Sequence, residues 1–149
     1  MINQTPHHCE MVIETIKVDY LRERIPPKFP LKTIASESGT VQMADLKDIG
    51  RMKLHSIASR GSRKDFVDLY CLTRSAISLE ELLLQAMEEQ GTLRFSRLLF
   101  LKGLVDFEEA ERDAPPILLW NIDWDKVKVG LADEVKRIAQ GLSHPEMSE

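Results

Sequence analysis

The chain has 149 residues, 43% of them hydrophobic and 30% charged, with a formal net charge of −4. This is the composition of one globular domain able to bury ~70% of its unfolded surface, and its net charge excludes a protein that coats nucleic acid. Two distant cysteines, Cys9 and Cys71, exclude a disulfide framework, and no apolar run is long enough for a signal peptide or a membrane span, so a reduced cytoplasm is expected.

Residues 1–10 are polar and read as a flexible terminus. His7, His8 and Cys9 stand together, but no further ligand follows at a metal-binding spacing, so no metal site is assigned. From residue 11 to 20 the pattern alternates. Val12, Ile16, Val18 and Tyr20 mark one face, Thr15, Lys17 and Asp19 the other, which predicts a single strand with Glu14 as its misfit. Pro26, Pro27 and Pro30 force an extended crossing. Residues 31–44 predict a hairpin that turns at Glu37-Ser38-Gly39 and returns through Thr40 to Met43. So little β structure leaves a sheet edge exposed, and exposed edges pair with something; a homo-oligomer through that edge is expected.

Residues 45–73 organise the rest. Asp45 can cap a first helix, Gly61 can end it in a left-handed turn, and Ser62 can cap a second. At ~100° per residue, Leu46, Ile49, Lys53, Ile57 and Arg60 share a stripe, which places Lys53 and Arg60 inside an apolar face. On the second helix Asp65 shares its stripe with Leu69 and Leu72, and Asp68 flanks it. A buried charge is costly unless it is paired or serves a site. Two readings follow. One is an ion-pair network that welds the two helices, the long basic stems lying along apolar surface. The other is a polyanion site, with Lys and Arg holding phosphates and a carboxylate managing a proton or a metal. The local charge balance permits the second, since Lys47, Arg51, Lys53, Arg60, Arg63, Lys64 and Arg74 outnumber Asp45, Asp48, Asp65 and Asp68.

Beyond residue 75 the chain reads as helical. Ser78 caps Leu79 to Glu89, and Gly91 stops that helix. Arg94 to Phe107 is apolar nearly all round, which predicts a helix at the centre of a bundle. Pro115-Pro116 breaks the chain. Asp123 then caps a final helix along Trp124, Val127, Leu131, Val135 and Ile138, a better reading than a chelating Asp123/Asp125 pair. A tail is expected from Gly141. The architecture is therefore α+β: one domain over residues 11–140, with a small N-terminal antiparallel β element (11–44) followed by a helical bundle (45–140) of about five helices.

The string Asp48-Ile49-Gly50-Arg51-Met52-Lys53-Leu54-His55-Ser56-Ile57-Ala58-Ser59-Arg60-Gly61, followed by Lys64-Asp65-Phe66-Val67-Asp68-Leu69-Tyr70, resembles the AbiEii/AbiGii toxin family of nucleotidyltransferases. The likeness continues through Leu101-Lys102-Gly103-Leu104-Val105-Asp106-Phe107-Glu108-Glu109-Ala110-Glu111, then Trp124 and Val127-Lys128. These are toxin halves of bacterial toxin–antitoxin and abortive-infection systems. The resemblance implies that Lys53, Arg60 and Lys64 grip a nucleoside triphosphate, that Asp65 or Asp68 is catalytic, and that Asp19, in Ile16-Lys17-Val18-Asp19-Tyr20, is an accessory acid on a strand facing the site. It implies Mg²⁺ as cofactor, an RNA or protein hydroxyl as acceptor, and an antitoxin protein as partner. The family's opening Gly-Ser turn and metal-chelating Asp-x-Asp strand have no counterpart before residue 45. The chain thus resembles the latter part of such an enzyme, and the expectation is a truncated, weakly active or inactive relative. The alternative is a non-catalytic module that binds a nucleotide, RNA or protein through the basic helix pair.

Overall fold

The computed structural model describes residues 2–22, 26–88, 96–118 and 121–143. Strands β1 (Ile2–Thr5), β2 (His8–Ile13) and β3 (Ile16–Leu21) form an antiparallel sheet in the order β1-β2-β3. Strands β4 (Lys32–Ser36) and β5 (Gly39–Met43) form a separate hairpin. Helices α1 (Leu46–Ser59), α2 (Arg63–Ser75), α3 (Leu79–Met87), α4 (Arg97–Gly103), α5 (Glu108–Arg112) and α6 (Trp124–Ser143) follow. The α+β class expected from the sequence is the one observed.

The N-terminal β element departs from expectation. Residues 2–5 and 8–10 lie in strands where a flexible terminus was expected, and the single strand over 11–20 is a hairpin turning at Glu14-Thr15. Both turn residues have positive φ, 48° and 77°, the mirror-image geometry that matches the twist of a two-residue hairpin. Asn-Gly is the usual signal for it; Glu-Thr carries none, and a β-branched residue there is an outlier. Glu14 looked like a misfit because it is not in a strand at all. The turn also resets the alternation, so Val12 lies opposite Lys17, while Met11 faces Val18 and Cys9 faces Tyr20. One face of the sheet is apolar and still open, with Ile13, Ile16 and Tyr20 all exposed. The second hairpin turns where the sequence places it, with Ser36 opposite Gly39.

The helices begin at the caps the sequence offers. Asp45 accepts from the Lys47 N–H at 2.9 Å, Ser78 from Glu81 at 3.2 Å, and Asp123 from Asp125 at 3.0 Å. Gly61 sits at φ +49° between α1 and α2. A Cβ there would lie 2.9 Å from the Phe66 ring as well as being strained. The buried face of α1 is not the expected stripe. Asp48, Arg51, Leu54, His55 and Ile57 are buried, whereas Leu46 and Arg60 are exposed. α1 packs on α2, α3 and α4 at once, so burial wraps around it instead of following one line.

The expected helix over Arg94–Phe107 is also revised; its first residues, like Glu89 and Gly91, fall outside those described. α4 is short and α5 is a separate helix. At Gly103 the α4 backbone approaches α1 so closely that a Cβ would lie 3.1 Å from the Ala58 Cα. The chain then turns, and Leu98 (76% exposed), Leu99 and Val105 face outward where a central bundle helix would bury them. α6 continues through Ser143, past the Gly141 where a tail was expected to begin; residues 144–149 are not among those described. One core joins the helices through Leu54, Phe66, Leu69, Leu82, Leu83, Phe100, Leu104 and Leu131.

The proline-rich crossing is held by a charge. The buried Asp48 carboxylate accepts from the backbone N–H groups of Lys28 (2.9 Å) and Phe29 (3.0 Å) and pairs with buried Arg51 one turn on. Asp48→Ala removes the acceptor for two amides and the counter-charge of a buried guanidinium. It should cost about 3–5 kcal/mol in urea unfolding, the range for breaking one side of a buried pair. A loss below about 1 kcal/mol would mean that the crossing does not depend on Asp48.

Candidate functional site

The α1–α2 elbow brings together the charged residues that the sequence singled out. Lys53 leaves α1 and places its Nζ 2.9 Å from Asp65 Oδ1 and 2.7 Å from Asp68 Oδ2, both on α2. Asp65 and Asp68 are three residues apart, so one helical turn presents both carboxylates to the same ammonium. The Lys53 side chain is 22% exposed, Asp65 9% and Asp68 51%. The group is thus graded from core to solvent.

Asp65 has a second role. Its Oδ2 accepts from the Ser62 hydroxyl at 2.5 Å and from the Ser62 backbone N–H at 3.3 Å, closing the start of α2 from its third residue. Burial would raise its pKa, but the Ser62 hydroxyl and Lys53 outweigh burial and hold it below its ordinary 3.8. Burial likewise opposes the charge on Lys53, and its hydrogen bonds to Asp68 and Asp65 more than offset this, raising it above 10.5.

Arg60 and Lys64 do not join this cluster. Both are exposed, and among the described residues neither has a carboxylate at ion-pair distance. Arg60 is the C-cap of α1, beyond its buried face, which corrects its expected place on the apolar stripe. Together with Gly61, Ser62, Lys64, Glu109, Asp113 and Pro116 it lines an open cleft of about 460 Å³. Asp113 accepts from the Arg63 N–H at 2.8 Å there, supplying a carboxylate to the start of α2. Arg63 itself stacks over Trp124, its Cζ 4.8 Å from the ring centroid. Asp68 also lines an apolar cleft of about 430 Å³, with Ile49, Val67, Cys71, Leu72, Ile117 and Leu118.

Asp19 lies on β3, and its polar partners are His8 (2.8 Å) and Lys17 (3.7 Å), not the Lys53 group. The hydrogen bond from His8 comes first among the causes that lower its pKa. The strand register brings Glu10 directly opposite Asp19, so His8, Glu10 and Asp19 place one donor atom each within 4.8 Å of one another. Reading His8 along the sequence missed this, because its companions stand across a hairpin. Two further groups were missed, Asp48 and Arg51, whose only trace is an i,i+3 acid–base spacing.

Mg²⁺ does not fit the elbow as it stands. The ion requires near-octahedral oxygen ligands, and the Lys53 ammonium already fills the gap between the Asp65 and Asp68 oxygens that would supply them.

A family model described as nucleotidyl transferase AbiEii toxin, type IV TA system, matches residues 10–142. The chain belongs to this family. The AbiEii match spans the β3 strand and the elbow and reaches into α6, so it includes Asp19, Lys53, Arg60, Lys64, Asp65 and Asp68 but not His8. An uncharacterized protein of Aquifex aeolicus (strain VF5) is 41% identical over 68 residues, 45% of this chain and 32% of that protein. The chain therefore spans about a third of the length of the curated relative it matches. No solved structure matches.

The pH dependence of this AbiEii-family chain follows from the elbow. Asp65, with a lowered folded pKa, contributes stability that is present above 3.8 and lost as pH falls through its folded value. Lys53, with a raised one, contributes stability that is present below 10.5 and lost as pH rises through its folded value. Lys53→Met should cost about 1–3 kcal/mol at pH 7, between exposed and buried pairs. Melting curves should also show a shallower acid limb below pH 4 in Lys53→Met and Asp65→Asn than in wild type. Parallel acid limbs would show that the pair contributes nothing to folding.

Proposed function

We propose that this chain binds the triphosphate of a nucleotide across the α1–α2 elbow and, on its own, transfers nucleotidyl groups weakly or not at all. The observation that carries this reading is the arrangement of cations. Lys53 is shared between two carboxylates at the edge of the core, and Arg60 and Lys64 stand beyond it without ion-pair partners among the described residues. A lysine is a point charge that can exchange a carboxylate for a phosphate oxygen, and arginine adds a forked donor. Membership of a nucleotidyl transferase family supports the triphosphate as the anion.

The carboxylates divide the remaining work. Asp65 is committed to Ser62 and Lys53, so it positions the lysine and closes α2. Asp68 is half exposed and loses its partner once Lys53 turns to phosphate, which makes it the carboxylate placed to accept a proton. In the transfer itself, an acceptor hydroxyl oxygen bonds to the α-phosphorus and its proton passes to Asp68. The bond between that phosphorus and the α–β bridging oxygen breaks, and pyrophosphate leaves. Arg60 and Lys64 hold the outer phosphates; Asp19, whose polar partners are His8 and Lys17 on the sheet, is given no part in the transfer. An RNA or protein hydroxyl is the acceptor and an antitoxin protein the partner, in keeping with the family.

Weak transfer follows from the same geometry. Ground-state attraction for phosphate does not lower a barrier; only interactions that strengthen in the transition state do so. When Lys53 turns to phosphate, Asp65 stays committed to Ser62 and only Asp68 is released, so the described elbow offers no carboxylate pair for the metal that would supply them. The purified chain should bind a nucleoside triphosphate, and Lys53→Ala should weaken that binding about tenfold or more, the value of one charged hydrogen bond. Incubation with labelled triphosphates, Mg²⁺ or Mn²⁺ and total bacterial RNA should yield little labelled product. Robust transfer abolished by Lys53→Ala would refute the weak-transfer part; binding unchanged by Lys53→Ala would refute the site.

A further inference from the structure

The polar face of the N-terminal sheet carries a second group of charges that the elbow does not use. Glu10 and Asp19 are direct cross-strand partners, so two carboxylates face each other on one side of the sheet. Like charges so placed destabilise a strand pair unless a cation lies between them. Lys17 supplies one, its Nζ 2.6 Å from Glu10 Oε2 and 3.7 Å from Asp19 Oδ2. His8 stands diagonally across from Asp19, its Nε2 2.8 Å from Oδ1. The alternation of β2 and β3 thus gathers one imidazole nitrogen and two carboxylates, with donor atoms within 4.8 Å of one another.

We propose that His8, Glu10 and Asp19 form a binding site for a divalent transition ion, with Lys17 holding the cation's place when the ion is absent. The donor set decides the class of ion. Carboxylates alone suit Mg²⁺ or Ca²⁺; one imidazole with two carboxylates suits Zn²⁺ or Mn²⁺. A tetrahedral Zn²⁺ with ligand bonds of about 2.0–2.2 Å draws its donors to roughly 3.4 Å from one another. Rotation of these partly exposed side chains covers the difference. Lys17 is 59% exposed and free to swing outward, so no core contact opposes its departure. His8 then passes the Nε2 proton it shares with Asp19 to Nδ1 or to solvent, and three protein ligands leave a fourth position for water.

The sheet itself gains from such an ion. Ile13, Ile16, Tyr20 and Leu21 are all at least half exposed, and a small sheet with so little burial is marginal in water. An ion that ligates β2 and β3 together stabilises that pairing by mass action, because the unfolded chain does not present the three donors together. This site is independent of the triphosphate reading. Its ligands lie on the sheet, and neither Lys53, Asp65 nor Asp68 is needed to fill it.

Zn²⁺ and Mn²⁺ titrations of the full chain, followed by calorimetry and by amide hydrogen exchange, test the proposal. Wild type should bind one equivalent of Zn²⁺ and slow exchange in residues 8–21. His8→Ala and Asp19→Asn should each weaken binding tenfold or more, whereas Lys17→Met should tighten it by removing the competing ammonium. The Lys17→Met gain keeps the test decisive even if His8→Ala loosens the sheet. Three results would overturn the proposal: no Zn²⁺ binding by either wild type or Lys17→Met, affinity unchanged in His8→Ala, or protection that appears away from β2 and β3. Mg²⁺ binding as tightly as Zn²⁺ would overturn the assignment of the ion class.

Discussion

One ammonium group balances two carboxylates across the α1–α2 elbow, and the helical half of the molecule is arranged around that balance. Lys53 has to leave α1 on the side that faces α2, and Gly61 makes this possible by reversing the chain in a conformation that other residues adopt only under strain. Asp65 has to stand at the third position of α2, where its second oxygen can reach back to Ser62. The ion pair and the helix start are therefore one device. Loss of Lys53 leaves Asp65 to the cap alone; loss of Ser62 leaves the carboxylate with only the lysine. Asp68, half in solvent, is the member of the group able to change partner without disturbing the core.

A second buried pair does a different job. Asp48 and Arg51 are almost wholly inaccessible, and the carboxylate spends its remaining capacity on the backbone of the proline-rich crossing. Prolines keep that segment extended but give it few ways to bond to itself, so an acceptor from α1 fixes where it runs. Lys28 adds an exposed tie to Glu88 at 2.7 Å, beyond the end of α3. The family likeness includes this stretch of α1, and Asp48 and Arg51 explain physically why a charged pair belongs inside it.

What the sequence made legible were features with local causes. Asp45, Ser62, Ser78 and Asp123 each announce a helix start, because a short polar side chain beside free N–H groups has little else to do. The convergence of Lys53 with Asp65 and Asp68 was readable from helical spacing on either side of a glycine. What escaped had non-local causes. The Glu14-Thr15 turn carries no turn composition, and without it neither the register nor the meeting of His8, Glu10 and Asp19 could be deduced. The buried face of α1 was misjudged because three helices pack on it, and a single stripe describes only one neighbour. α4 ends at Gly103, whose backbone packs against Ala58, a contact 45 residues away in the chain and invisible to periodicity.

The central claim is that Lys53 is held by Asp68 and Asp65 in the free protein and turns to phosphate when a nucleotide binds. The most direct test is a triphosphate titration of Asp68→Asn beside wild type, at one fixed salt concentration. Removing that charge leaves Lys53 less neutralised and the elbow less repulsive to an anion. Binding should tighten about fivefold, the worth of one unit charge at 4 Å in water, about 1 kcal/mol. An unchanged or weakened affinity in a variant that melts normally would contradict the claim, because Lys53 would then be a structural cation that never meets the ligand.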